Sequence, residues 1–145
     1  MQRYRQYRRV LLLWLPVLLQ AALIFFFSAQ PAGSPVLNRF PFTGVIGHGA
    51  GYALLALLLY RALTGGLRRW STRLAACAFS MALLYGVSDE LHQAFVPGRQ
   101  LSGLDLLVDG AGAAATLVAV RVGIAVRDRR NTPAESEAGS EPGRL

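Results

Sequence analysis

The chain has no lysine. All fifteen of its basic residues are arginines, set against eight acids in 145 residues. Its single cysteine, Cys77, excludes a disulfide framework and a cysteine-based metal site. In the middle of an apolar run that residue reads as a small buried apolar group. No stretch shows the apolar–polar alternation of a strand. A metal site is conceivable from His48, Asp89, Glu90, His92, Asp105 and Asp109, but no HExxH or comparable ligand spacing supports it, so no metal and no cofactor is expected. Glycine-rich stretches occur, but none follows a strand and opens a soluble helix, which argues against a phosphate-cradling loop. The arginines sit in short clusters between apolar runs rather than along one face, which argues against a nucleic-acid partner.

The chain does have apolar length. Apolar residues make up 53% of it, high for a water-soluble domain with room for only one core. Four runs stand out: Val10–Ser28, Val45–Leu63, about Leu74 to Gln93, and Leu104–Val126. Each holds about 19 to 23 residues, enough to cross a hydrocarbon core of about 30 Å as a helix. The arginine-rich start also fits the n-region of a cleaved signal peptide. The first run is longer than the usual ~7–15 residues, however, and no small-x-small site follows, so it reads as a retained span.

The expected fold is therefore all-α: a four-helix transmembrane bundle over residues 1–127, with a disordered tail over 128–145 that is rich in Glu, Ser, Gly and Pro. Arg3, Arg5, Arg8, Arg9, Arg61, Arg68, Arg69, Arg73, Arg127, Arg129 and Arg130 fall on one side, and only Arg39 and Arg99 on the other. The arginine-rich side is expected to be cytoplasmic, with both termini on it. Arg61 and Arg121, near the cytoplasmic ends, are expected to snorkel.

Lipid gives helices little hydrophobic reason to associate, so small residues that permit close approach decide which helices pair. The second run has Gly47, Gly49 and Gly51, with Gly49, Ala53 and Ala56 at helical spacing. The fourth has Gly110 and Gly112, with Ala114 and Thr116 four residues on. These two spans are expected to form the tight pair.

The polar residues concentrate at the opposite, outward ends. Ser28 and Gln30 close the first span and His48 opens the second. Asp89, Glu90 and Gln93 close the third, while Asp105 and Asp109 open the fourth. Asp89 and Gln93 share a helix face, as do His48 with Tyr52 and Asp105 with Asp109, while Glu90 is about 100° round from Asp89. Polar groups at this depth are costly to insert. Four carboxylates so close repel one another, which calls for a proton on one of them or for Arg99 among them. Arg99 is expected to pair bidentately with a carboxylate at rest and with a phosphate when a ligand is present. Plainer roles compete with these. Ser102-x-x-Asp105 is a capping-box pattern, so Asp105 serves either the site or the start of the helix. Pro97-Gly98 suits a type II turn. His48 either joins the site or only hydrogen-bonds between helices. His92 reads as a solvated residue at the membrane edge, and Tyr52, Tyr60 and Tyr85 as packing or interfacial residues.

Four elements carry a resemblance: FFFSAQP (Phe25–Pro31), HGAGYALL (His48–Leu55), YGVSDELHQAFVPGR (Tyr85–Arg99) and SGLDLLVDGAG (Ser102–Gly112). In that order they resemble the VanZ-like family of small bacterial membrane proteins, named for a member associated with low-level resistance to the glycopeptide teicoplanin. The resemblance implies Ser28, His48, Tyr52, Asp89, Glu90, Gln93, Pro97, Arg99, Ser102 and Asp105 as signature positions. It also implies a multi-pass protein of the bacterial cytoplasmic membrane. Members of the family often carry Lys shortly before the histidine and Asn at the position of Asp109. This chain has Gly44 and Val45, and a carboxylate, which makes its site more acidic.

Two functions fit these residues. In one, an outward-facing polar site binds or acts on a lipid-linked or phosphate-bearing envelope component. Asp89, Glu90 and Asp105 would then be the acid/base candidates, with Ser28, His48, Tyr52, Gln93, Arg99 and Asp109 as ligand-binding residues. In the other, a non-catalytic membrane module or partner protein uses the same charges as structural ion pairs. A proton-coupled transporter fits less well, since one four-helix unit offers little pathway.

Overall fold

The computed structural model describes residues 2–39 and 44–131, whose regular structure is all helical, with no strand among them. The elements are α1 (Gln2–Ser28), α2 (Pro35–Arg39), α3 (Val45–Thr64), α4 (Thr72–Gln93) and α5 (Gly103–Asn131). The four long helices are each long and apolar enough to cross a membrane. A backbone in lipid has no water to bond, and a helix satisfies its polar groups within the segment. The chain is a multi-pass membrane protein built as a helical bundle.

Two helix boundaries differ from those expected, and one short helix is added. Helix α1 starts at Gln2, two turns before the apolar run, because nothing between Arg3 and Val10 breaks a helix and arginine favours one. Helix α5 continues through Asp128 to Asn131, past the expected boundary at 127. The rest of the expected disordered tail lies outside the described residues. The short α2 was not expected. It follows from Ser34-Pro35, where the Ser34 hydroxyl accepts from the Leu37 amide at 3.3 Å and proline occupies the first helical position.

Helix α3 is the hub, packing against α1, α4 and α5, and its closest partner is α5, as the glycine spacing anticipated. The approach is closest at Gly112, where an added Cβ would run into the Gly49 carbonyl. Gly110, by contrast, faces only Leu83 at an ordinary 3.7 Å. On α4 the inward stripe is Ala75, Ala78, Ala82 and Gly86, and it continues as Asp89, Glu90 and Gln93. A Cβ on Gly86 would sit 3.2 Å from Leu106 and 3.4 Å from both Tyr52 and Asp109, so α4 also needs a small residue where three helices meet. Around these contacts Tyr52, Leu55, Ala56, Leu59 and Tyr60 of α3 fill the core with Ala113 and Leu117 of α5. Cys77 is exposed on the outer face of α4, not buried as expected. The inward stripe takes positions 75, 78 and 82, which turns 77 outward.

The arginine-rich end is tied together through carbonyls. Arg9 donates to Gly65 O at 3.1 Å, and Arg127 donates to Leu67 O at 3.3 Å and to Arg68 O, so both hold the α3–α4 loop. Tyr60 spans the same loop, donating to Arg69 O at 3.0 Å and accepting from Ser71 N at 2.9 Å. Arg121 lies over the Trp70 ring, 6.0 Å from its centroid, a cation–π contact in place of simple snorkelling. Arg61 has a more specific task. Pro16 lies inside α1 and lacks an N–H, so the carbonyl four residues earlier, that of Leu12, loses its helical partner. Arg61 Nη1 donates to that carbonyl at 3.4 Å.

Two expectations follow. Gly112→Ala should lower bundle stability by about 1–3 kcal/mol or more, while Gly110→Ala stays close to wild type, both read by thermal denaturation in detergent. Arg61→Ala should cost about 1–3 kcal/mol because it orphans the Leu12 carbonyl. Pro16→Ala restores a backbone donor to that carbonyl, so the Arg61→Ala cost should shrink in its presence.

Candidate functional site

At the end of the bundle away from the arginine clusters, the polar stripe of α4 meets the C-terminal end of α1 and the first turns of α3 and α5. Ser28, Asp89, Glu90, Gln93 and Asp109 are buried, and His48, Arg99, Ser102 and Asp105 are half-buried. The expected single constellation resolves into two hydrogen-bonded networks.

The first joins α1 to α4. Ser28 Oγ donates to Asp89 Oδ2 at 2.7 Å. Gln93 Nε2 donates to the same Asp89 oxygen at 3.1 Å and to Ser28 Oγ at 3.3 Å. The shared face of Asp89 and Gln93 is thus used as its spacing implies. Arg99 extends this network but not in the expected way. Among the described residues it pairs with no carboxylate: its Nε and Nη2 donate to the carbonyls of Gln30 and Phe27, each at 3.3 Å, and its Nη1 to Gln93 Oε1 at 3.5 Å. Phe27 O lies in the last turn of α1 and Gln30 O just beyond it, at the negative end of the helix dipole, and the guanidinium fork serves both. The loop delivers Arg99 there through a type II turn at Pro97-Gly98. Gly98 has φ +74°, and the Arg99 amide closes the turn on Val96 O at 3.1 Å. The turn docks on the chain beyond α1, where Ala32 N donates to Pro97 O at 3.2 Å.

The second network joins α3, α4 and α5. His48 Nδ1 lies 3.2 Å from Asp109 Oδ1. The His48 and Tyr52 rings lie nearly parallel, with centroids 6.5 Å apart. Ser102 is the cap of α5, its Oγ accepting from the Asp105 amide at 3.2 Å. In a capping box the reciprocal bond to the Ser102 amide would come from residue 105. Here Glu90 Oε2 takes that amide instead, at 2.6 Å, reaching across from α4. Asp105 is thereby released from capping, and one donor atom each from His48, Glu90 and Asp105 lie within 4.8 Å of one another. In the sequence these three are conceivable ligands without a ligand spacing, because they come from three helices.

Several polar atoms at this end are buried without a hydrogen-bond partner: Tyr52 Oη, Asp89 Oδ1, Glu90 Oε1, His92 Nε2 and Asp109 Oδ2. His92 is not the solvated residue expected, since its ring stacks on Phe25 with centroids 4.6 Å apart.

Beside both networks, α1 and α3 leave a cleft of about 260 Å³. Gln20, Leu23, Ile24, Phe27, Gly47 and Gly51 form most of its wall, and it ends at Ser28, His48, Tyr52 and Arg99. Gln20 was overlooked in the sequence. Its Nε2 donates to Gly51 O at 3.1 Å, and its position as the one amide inside a charge-free span was an available signal. Tyr85, whose hydroxyl donates to Ala21 O at 2.7 Å, links α4 to α1 in the same region.

No curated relative and no solved structure shows significant similarity to the chain. The family model described as VanZ/LLP1 matches residues 13–124, which takes in α3 and α4 whole, most of α1 and α5, and every residue of both networks. This multi-pass membrane protein therefore belongs to the VanZ/LLP1 family.

Proposed function

We propose that the protein is a cell-envelope protein of the bacterial cytoplasmic membrane that binds an amphipathic anionic lipid. On this reading the apolar chain lies in the α1–α3 cleft and the phosphate sits at its polar end. The observation that carries the proposal is the cleft itself: an apolar wall between two membrane helices, ending at the imidazole of His48 and the guanidinium of Arg99. Arg99 has five N–H donors and spends three of its bonds on protein oxygens, which leaves donors for a phosphate oxygen. A change in teicoplanin sensitivity would then follow from altered handling of a lipid-linked envelope component.

A structural role for part of the charge has its own support. Asp89 is bonded to Ser28 and Gln93, and Glu90 holds the Ser102 amide at the start of α5. We read these two as framework residues on one oxygen each, with the remaining oxygens facing the site. Orientation completes the proposal. The arginine-rich end, with both termini, is cytoplasmic, so the polar end opens outward.

The lipid reading is tested with a polyprenyl phosphate and the matching polyprenol, each added to the purified chain in detergent. The phosphate should bind at least about tenfold more tightly than the alcohol. Gly51→Leu, whose Cβ meets Ile24 at an ordinary 3.7 Å while the rest of the side chain fills the cleft, should abolish binding without loss of helical content. Equal binding of alcohol and phosphate would remove the role given to Arg99. For orientation, in a Cys77→Ser background an impermeant thiol reagent should label Gln100→Cys in intact cells and Arg68→Cys only after permeabilisation. The reverse pattern would turn the site inward.

A further inference from the structure

Among the described residues Asp89, Glu90 and Asp105, at the polar end, form no ion pair with an arginine or histidine. Among the described residues the ion pairs are His48 with Asp109 and, at the far end of the bundle, Arg127 with Asp128. Arg99 is turned to carbonyls and to Gln93, and the chain has no lysine. Glu90, 3% exposed, keeps Oε2 on the Ser102 amide while its Oε1 is buried with no partner. Asp105, freed from capping, brings a second carboxylate, and its donor oxygen, one from Glu90 and a ring nitrogen of His48 lie within 4.8 Å of one another. A buried carboxylate oxygen at membrane depth is costly unless something positive meets it.

The imidazole is already set for such a partner. Asp109, 1% exposed, holds His48 Nδ1 at 3.2 Å and so leaves Nε2 as the ring nitrogen for a ligand. A histidine that binds a metal through one nitrogen commonly has the other nitrogen fixed by a carboxylate, which sets tautomer and ring orientation.

We propose that His48, Glu90 and Asp105 bind a first-row divalent cation, with Asp109 as the positioning residue that orients the imidazole. One imidazole nitrogen with two carboxylates suits Zn²⁺ or Mn²⁺. Mg²⁺ and Ca²⁺ favour sites made of oxygen alone, and no thiolate is at hand for a softer ion. Three protein ligands leave at least one coordination position open to water or to an anionic oxygen. The site does not depend on the lipid reading, since it shares only His48 with the cleft.

The test uses the full chain in detergent, with any affinity tag removed, stripped with EDTA and titrated separately with ZnCl₂, MnCl₂ and MgCl₂ by calorimetry. Bound Mn²⁺ is also read by electron paramagnetic resonance. One saturable site per chain for Zn²⁺ or Mn²⁺ is expected, with a rise in melting temperature on loading. Asp105→Asn is the key variant, because the Asp105 carboxylate makes none of the hydrogen bonds that hold the helices, and it should melt like the metal-free wild type yet lose the site. Asp109→Asn should bind about 10–100-fold more weakly while leaving the three ligands in place. Absence of saturable Zn²⁺ and Mn²⁺ binding would overturn the proposal, as would unchanged binding by a folded Asp105→Asn or tighter binding of Mg²⁺ than of both other ions.

Discussion

The close approach of α3 and α5 at Gly49 and Gly112 is the contact on which the rest of the molecule depends. Any side chain at 112 would occupy the space of the Gly49 carbonyl, so the two backbones meet only because nothing stands between them. Lipid tails are as apolar as leucine and give the helices no hydrophobic reason to associate. Close backbone packing supplies the dispersion contacts instead. The same contact positions the chemistry. His48 is the neighbour of Gly49, and Asp109 lies three residues before Gly112 on the same face of α5. Bringing the glycines together therefore brings the imidazole within 3.2 Å of the carboxylate.

A second constraint is the absence of water in the hydrocarbon, which makes each polar group find a partner in the protein. At the arginine-rich end this is met with cations on carbonyls, most clearly where Arg61 takes the Leu12 oxygen that Pro16 leaves without a donor. At the other end it is met by longer reaches: Ser28 to Asp89, Arg99 to the last turn of α1, and Glu90 to the first turn of α5. Against that background the partnerless atoms stand out. Asp89 Oδ1, Glu90 Oε1, Asp109 Oδ2 and Tyr52 Oη are buried at one end, next to the cleft and the three-helix donor set. Framework and site are made from the same residues, with one oxygen of a carboxyl group holding helices and the other left over.

Much of the bundle was legible in the sequence, because hydrocarbon thickness sets a helix length and lipid selects composition. The four spans, the α3–α5 pairing and the turn at Pro97-Gly98 follow from residues a few positions apart. So does the bond between Asp89 and Gln93, which are four residues apart on one helix. The readings that failed depend on which face of a helix packs inward or on neighbours distant in sequence. Cys77 turned outward because the alanine stripe of α4 took the inward positions, and His92 found Phe25 of α1 as a stacking partner. Arg99 went to carbonyls rather than carboxylates because its loop docks against the end of α1.

The sequence by itself determined that this is a four-span membrane protein with most of its arginines toward one end and Asp89, Glu90, Asp105 and Asp109 toward the other. It also placed Ser28, His48, Asp89, Glu90, Gln93, Asp105 and Asp109 near the ends of those spans, since each such fact rests on length, composition or a spacing of three or four residues. Only the tertiary structure decided how those residues are divided. The α1–α4 tether uses Ser28, Asp89 and Gln93, and the start of α5 borrows Glu90 for the bond that its own Asp105 would otherwise make. That exchange sets Asp105 beside His48 and Glu90. It is invisible in the chain because positions 48, 90 and 105 become neighbours only when three helices pack.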